Sequence, residues 1–293
     1  MQWFGRTRRA RRVMIAVGMA GATVAAQLVV AQPAVAIPGL VKVLATSAAN
    51  AVNTKTITAF CPAGRVVVGG GGRINNGSDA AGGQVHLDGL RPLAGGGGYT
   101  ARATEEPSTN FMQNWSVTAI AICAFPPPGY QIVTAASPIN GNNGKVAVAA
   151  CPAGRQVVGT GGWLDFTVGD VVLDAVIPSA ALGSVAARGM ELFNNPQWRI
   201  NSYAICMAPP PGGLSRPVVS SAFNSLTPKF VSVSCPAGQF VHGAGFSYSG
   251  GNGRVFPLHL DDSPPATVRV SGYEWEGGQM GNWLVTGYAI CAA

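Results

Sequence analysis

Lys55-Thr-Ile57-Thr-Ala59-Phe-Cys61-Pro-Ala-Gly64 is the stretch that decides the fold. Ile57, Ala59 and Cys61 alternate with Thr and Phe, so one face of an extended chain is apolar and the other is not, the pattern of a half-buried strand. The Pro and Gly that follow Cys61 predict a type I turn. The same phrase returns as Lys145-x5-Cys151-Pro-Ala-Gly154 and as Lys229-x5-Cys235-Pro-Ala-Gly238. Each copy closes on a Trp eight residues before a Cys, at Trp115/Cys123, Trp198/Cys206 and Trp283/Cys291. The chain therefore carries its own three-row alignment, and positions that recur in every row are those the unit needs to fold.

Working outward, the rows divide the chain into β modules at 37–128, 129–213 and 214–293, behind a leader at 1–36. The joints are Phe125-Pro-Pro-Pro-Gly129 and Pro209-Pro-Pro-Gly-Gly213, stiff extensions ended by a pivot. They point to separate beads in preference to one fused barrel. After each Cys-Pro-Ala-Gly the chain runs back through a glycine-rich strand, Val66 to Gly72 or Val157 to Gly162. Glycine in a strand costs order, so its recurrence implies a large side chain or a backbone pressing close. The closing strand offers Trp as that side chain, with apolar residues on both of its faces, as in a central strand. Leu-Asp recurs at Leu87-Asp88, Leu173-Asp174 and Leu260-Asp261. A strand with Arg102, Arg188 or Arg269 follows, with Glu105, Glu191 or Glu274 nearby. These read as turn hydrogen bonds and Arg–Glu bridges. The expected fold is all-β: three tandem disulfide-stapled β-sandwich-like modules, with a single threefold β-prism-like assembly as the alternative.

The leader opens with Arg6, Arg8, Arg9, Arg11 and Arg12, continues as an apolar run, and ends on Ala34-Val-Ala36, which fits a signal peptide cleaved after Ala36. The arginine pairs fit twin-arginine export as well as the general route. Of 19 basic side chains, five belong to the leader, which leaves 14 against 12 acidic ones, a net of +2. No basic cluster remains, so the footprint of a nucleic-acid binder is missing. No membrane span is expected after cleavage, and the protein reads as secreted.

Six cysteines in an exported chain read as disulfides. One symmetric set is Cys61–Cys123, Cys151–Cys206 and Cys235–Cys291. The other is Cys123–Cys151, Cys206–Cys235 and Cys61–Cys291. The first makes each unit self-contained and is preferred.

The rows resemble a β module carried on exported actinobacterial proteins, with a Cys-Pro-Ala-Gly turn, a Val-x-Gly-Gly-Gly strand and a Trp…Tyr-Ala-Ile-Cys-Ala ending. The match covers Cys61 to Gly72 with Trp115 to Ala124, Cys151 to Gly162 with Trp198 to Cys206, and Cys235 to Gly245 with Trp283 to Ala292. The resemblance implies small extracellular β-sandwiches and carries no chemistry. More distantly, three β units with cysteine pairs are similar to the β-prism of vitelline membrane outer layer proteins.

Hydrolytic chemistry has little to work with. His86 and His259 flank the Leu-Asp echo, where the second unit has Val172, and with Asp88 they would be the residues of an unfamiliar hydrolase. His242 stands alone. No nucleophile elbow, zinc motif or phosphate loop is present. Asp165 and Asp170 miss EF-hand spacing. No catalytic residue, metal or cofactor is expected. Where the rows disagree, the segments are Asn75–Gly83, Ala94–Tyr99, Pro107–Asn114, Trp163–Asp170, Phe193–Gln197, Ser247–Arg254 and Trp275–Gly281. Their aromatics, Phe111, Trp163, Phe166, Tyr248 and Trp275, suit sugar rings. The functional expectation is a non-enzymatic binder of cell-envelope or environmental polysaccharide. The alternative is a surface or matrix protein that assembles with itself or with other proteins.

Overall fold

The computed structural model describes residues 37–76, 83–108, 111–262, 266–278 and 281–293, apart from the side chains of Asn76, Leu258, His259 and Asp262. The leader and its cleavage point lie outside these residues. The first repeat forms β1 (Val41–Thr46), β2 (Thr54–Phe60), β3 (Val66–Asn76), β4 (Val85–Pro92), β5 (Gly98–Glu105) and β6 (Trp115–Ala124). The second forms β7 (Gln131–Ala136), β8 (Lys145–Ala150), β9 (Gln156–Asp165), β10 (Val171–Pro178), β11 (Ser184–Glu191) and β12 (Arg199–Met207). The third forms β13 (Val218–Ser220), β14 (Lys229–Ser234), β15 (Phe240–Ser249), β16 (Val255–Asp262), β17 (Thr267–Glu274) and β18 (Leu284–Ala292). The alternation is clean in the second and third repeats, where β8 and β14 bury every second residue, while β2 buries Lys55 and Ala59 and leaves Ile57 half-buried. Every residue of β6 is buried, as expected of a central strand.

The chain is all-β, and its strands form three six-stranded sheets ordered β1-β6-β3-β16-β17-β14, β2-β5-β4-β9-β12-β7 and β13-β18-β15-β10-β11-β8. No sheet belongs to one repeat. Each takes three strands from one repeat and three from another, through the antiparallel junctions β3–β16, β4–β9 and β10–β15. The first repeat thus joins the second, the second the third, and the third returns to the first. The beads expected from the proline joints are therefore replaced by the threefold arrangement, and the described residues all belong to one compact unit, Ala34–Ala293. A single unit has two half-sheets whose inner edges would be bare, and pairing them with neighbours satisfies that backbone.

The disulfides follow the first symmetric set, Cys61–Cys123, Cys151–Cys206 and Cys235–Cys291. Each ties the end of a strand in one sheet to a closing strand in another, so the three bridges link the three sheets in a ring.

Alternate glycines of β3, β9 and β15 answer to the backbone of a different repeat, while the glycines between them meet side chains, Gly70 the Tyr99 ring, Gly72 Leu90 and Gly162 Val176. A Cβ on Gly69 would overlap the His242 carbonyl, one on Gly159 the Val68 carbonyl, and one on Gly243 the Val158 carbonyl. Gly71, Gly161 and Gly245 meet the carbonyls of Leu260, Leu90 and Val176 in the same way. β3, β9 and β15 therefore touch one another along the threefold axis at a spacing only glycine permits. Trp is not what presses on them. Its indole N–H donates instead to Glu105, Glu191 or Glu274, at 2.7, 2.7 and 2.6 Å. The turn after each cysteine also sits one residue later than expected. The Pro62 carbonyl accepts from Arg65 N–H, and Gly64 in the third position has φ +77°, the geometry of type II.

Candidate functional site

The ends of the strands sort the loops. The Cys-Pro-Ala-Gly turns and the proline joints lie at one end of the molecule, with the disulfides. At the other end lie the three Trp and the loops that follow β1, β3 and β5 and their counterparts. Six of the seven segments on which the rows disagree are among these loops, Ala94–Tyr99 being the exception. They interlock: Gly169 packs on the Glu105 carbonyl, Gly253 on that of Glu191, and Gly83 on that of Glu274. The sequence reading thus located a surface, but not its platforms. Phe111, Trp163 and Tyr248 are buried, at 6, 5 and 1 % exposure, and offer no face to a sugar. Phe111 is in the core. Tyr248 donates to the Ser271 carbonyl at 2.7 Å. Trp163 lies between Arg91 and Arg102, 3.8 and 4.3 Å from its ring centre. Phe166 is exposed, and Trp275 is half-buried against Phe193 and Arg254.

The polar residues chosen from sequence are committed to the scaffold. His86 is fully buried, 4.6 Å from the Phe256 ring, with Nε2 3.3 Å from the Val171 carbonyl oxygen. Its counterpart in register is Phe256, and that of His259 is Gly89, so the two histidines do not occupy matching places. All three repeats carry a bulge here, at Asp88, Asp174 and Leu258, so Leu260-Asp261 lies three residues out of register with Leu87-Asp88 and Leu173-Asp174, and the Leu-Asp echo is not a structural match in the third row. Burial lowers the pKa of His86, outweighing Asp88 and Glu106, and lowers that of His242. Asp88 accepts from Arg102 and Thr104. The expected Arg–Glu pairing is corrected: Arg102 and Arg188 bind Asp88 and Asp174, while the glutamates receive Trp. Asp165 pairs with Arg199, and Asp170 accepts from the Val168 N–H. Among the described residues no group of three or more His, Cys, Asp or Glu could hold a metal ion.

The threefold repeat supplies an internal control for the sheet faces. In register, Arg102 and Arg188 stand beside the junctions of their sheets, and each extends over the junction to a neighbouring carbonyl, Leu164 or Tyr248. In the third junction the same place in register belongs to Ser271, which pairs with His259 opposite Arg73. A short side chain replaces a long one, and a groove of about 530 Å³ opens there. Its lining includes Arg73, Asp261, Arg269, Ser232, Ser271 and Phe230. Arg73 Nη1 is 3.6 Å from Asp261 Oδ2, and Asp261 Oδ1 is buried without a hydrogen-bond partner. Phe230 is 60 % exposed and held edge-on by Tyr273, with ring centres 6.3 Å apart. The groove thus offers an aromatic face, fork donors and an unsatisfied acceptor. Sequence reasoning missed it because its residues come from the first and third repeats and sit on strands, not loops. The one available signal was the exposed Phe230 within an otherwise polar alternation. Comparison with known protein families and with curated proteins finds no match to this chain.

Proposed function

We propose that the protein is an exported, non-enzymatic binding protein that takes a polysaccharide chain into the groove at the β3–β16 junction. The opening of that groove by Ser271, where two sister junctions carry arginine, is the observation that supports this reading. Sugar rings present apolar faces ringed by hydroxyls. Phe230 matches the first, and Asp261 Oδ1, Arg73 and Arg269 match the second. The three disulfides suit an oxidising, extracellular setting. No helix among the described residues is long and apolar enough to cross a membrane.

The test is retention of oxidised 37–293 on purified cell wall, chitin, cellulose and starch. Retention on one polymer, released by its soluble fragments and reduced about tenfold by Phe230→Ala or Arg269→Ala, is the expected result. Val148→Ser, on another sheet, should leave it unchanged. No retention on any polymer sinks the proposal. A second reading, assembly into a surface layer, draws on β8, an edge strand that turns Val146 and Val148 outward at 52 and 53 % exposure. Concentration-dependent self-association lost in Val146→Ser/Val148→Ser would favour it.

A further inference from the structure

The loops after β1, β7 and β13 share a motif that the row comparison passed over: Ser47-x2-Asn50-x4-Lys55, Ser137-x2-Asn140-x4-Lys145 and Ser221-x2-Asn224-x4-Lys229. Each Asn side chain accepts the N–H two residues on, at Val52, Asn142 and Leu226. Each Ser hydroxyl accepts the N–H of a closing strand, at Val117, Ile200 and Val285. Each Lys ammonium turns back beneath the loop, over the ring of Trp115, Trp198 or Trp283. The three turns are therefore braced at every joint. A loop braced in this way could fold its apolar residues inward, yet these point them out. Val52, Ile139, Phe223 and Leu226 are 56, 47, 58 and 69 % exposed. Phe166 and Val168, in the loop after β9, are 62 and 70 % exposed, and Met112, after β5, is 77 % exposed.

We infer that this end of the molecule docks on a lipid bilayer, with the apolar tips entering the interface and the threefold axis standing across it. Three features select a bilayer over a folded partner. The tips come from separate loops of all three repeats around an axis, so they form scattered projections and not one groove that a protein ridge could fill. Burying each tip independently is what a fluid apolar boundary allows. Among the described residues, Asp165 at this end is paired with Arg199 and Asp170 accepts the Val168 N–H, so these two carboxylates are already engaged. Rigid turns also avoid the ordering entropy that a loose loop would lose on insertion. The end bearing the disulfides also exposes aromatics, Phe60 at 66 % and Phe240 at 42 %, but these are single strand-end residues and not tips of braced loops, and its Phe125 has Arg65 5.2 Å from the ring centre. Docked in this way, the molecule would keep the Phe230 groove on its flank, clear of the membrane, although the inference does not depend on what the groove binds.

The experiment is flotation of oxidised 37–293 with vesicles of phosphatidylcholine alone and with added phosphatidylglycerol, at low and high salt. Binding to both, with little dependence on salt or headgroup, is expected because insertion is apolar. Phe223→Ser/Leu226→Ser should weaken the partition at least about tenfold, whereas Val146→Ser/Val148→Ser should not change it. Thermal melting of each variant confirms that it folds. Absence of binding to either vesicle overturns the inference. So does binding only to anionic vesicles that salt abolishes, or a protein-only oligomer in ultracentrifugation that disappears in Phe223→Ser/Leu226→Ser.

Discussion

A Cβ on Gly159 would meet the Val68 carbonyl at 2.2 Å and Gly69 Cα at 2.9 Å, both backbone of another repeat, with Ile205 Cδ1 the one side-chain atom as near. A methyl group at this point must push two backbones apart on the axis. Gly159→Ala should therefore cost on the order of 2–3 kcal/mol. Gly97→Ala, where an added Cβ meets nothing, should stay within about 0.5 kcal/mol. Urea denaturation of the two variants separates these outcomes, and equal midpoints would refute the axial contact. Buried histidines make a second prediction. Burial holds His86 and His242 below the ordinary 6.5, so the unfolded chain takes up protons first as pH falls. Their contribution is complete above about 6.5 and is lost below it. Asp174 works the other way. Burial outweighs Arg188 and pushes its carboxyl up to about 6, so between 3.8 and that value the folded chain binds the extra proton and gains stability as pH falls. His242 stands in register where the other repeats have Val68 and Val158. His242→Val should flatten the acid-side decline in melting temperature, and Asp174→Asn should steepen it. A decline unchanged by His242→Val would show that the titrating group lies elsewhere.

At the scale of elements, Cys151–Cys206 joins the end of β8 to β12, which lie in different sheets. The bridge closes a separation of 55 residues, so the chain-entropy model assigns it about 4 kcal/mol. Cys151→Ala/Cys206→Ala should lower stability by that order while leaving the far-ultraviolet spectrum all-β, because the strand ladders do not depend on it. Loss of strand signal at room temperature would mean that the bridge holds the sheets together unaided. These pairings, the period-two strands and the centrality of β6 could be read from the rows, since each lies within one repeat. The rows also showed that something presses on the glycines. They could not show that the neighbour is another repeat, because β3–β16, β4–β9 and β10–β15 leave no mark on spacing: each aligned junction involves only two residue pairs. The aromatics fared worst. Trp163 and Tyr248 lie in segments that differ between rows, yet both are strand residues whose variation is a change of packing. The Ser-x2-Asn-x4-Lys motif was present in every row and could have been found by extending the alignment upstream of Lys55.

For the whole molecule, ring closure decides what can be removed. Deleting residues 214–293 takes β16 from β3 and β15 from β10, so two of the three junctions open. The half-sheets left behind expose apolar inner faces and bare ladder edges, while Gly69 loses the His242 backbone it packs against. Of the three strand junctions only β4–β9 would remain, with the axial contact of Gly159 on Val68 beside it. The fragment 37–213 should therefore lack a cooperative melt and bind a hydrophobic dye, although both of its disulfides can form. Stiff proline joints between independent beads would predict the opposite, a fragment that melts like the parent. The decisive arm is complementation. Separately purified 37–213 and 214–293 carry all three junctions between them, so mixing should restore a single cooperative transition with a midpoint that rises with concentration. A fragment that melts alone near the parent midpoint, and gains nothing from its partner, would return the architecture to beads.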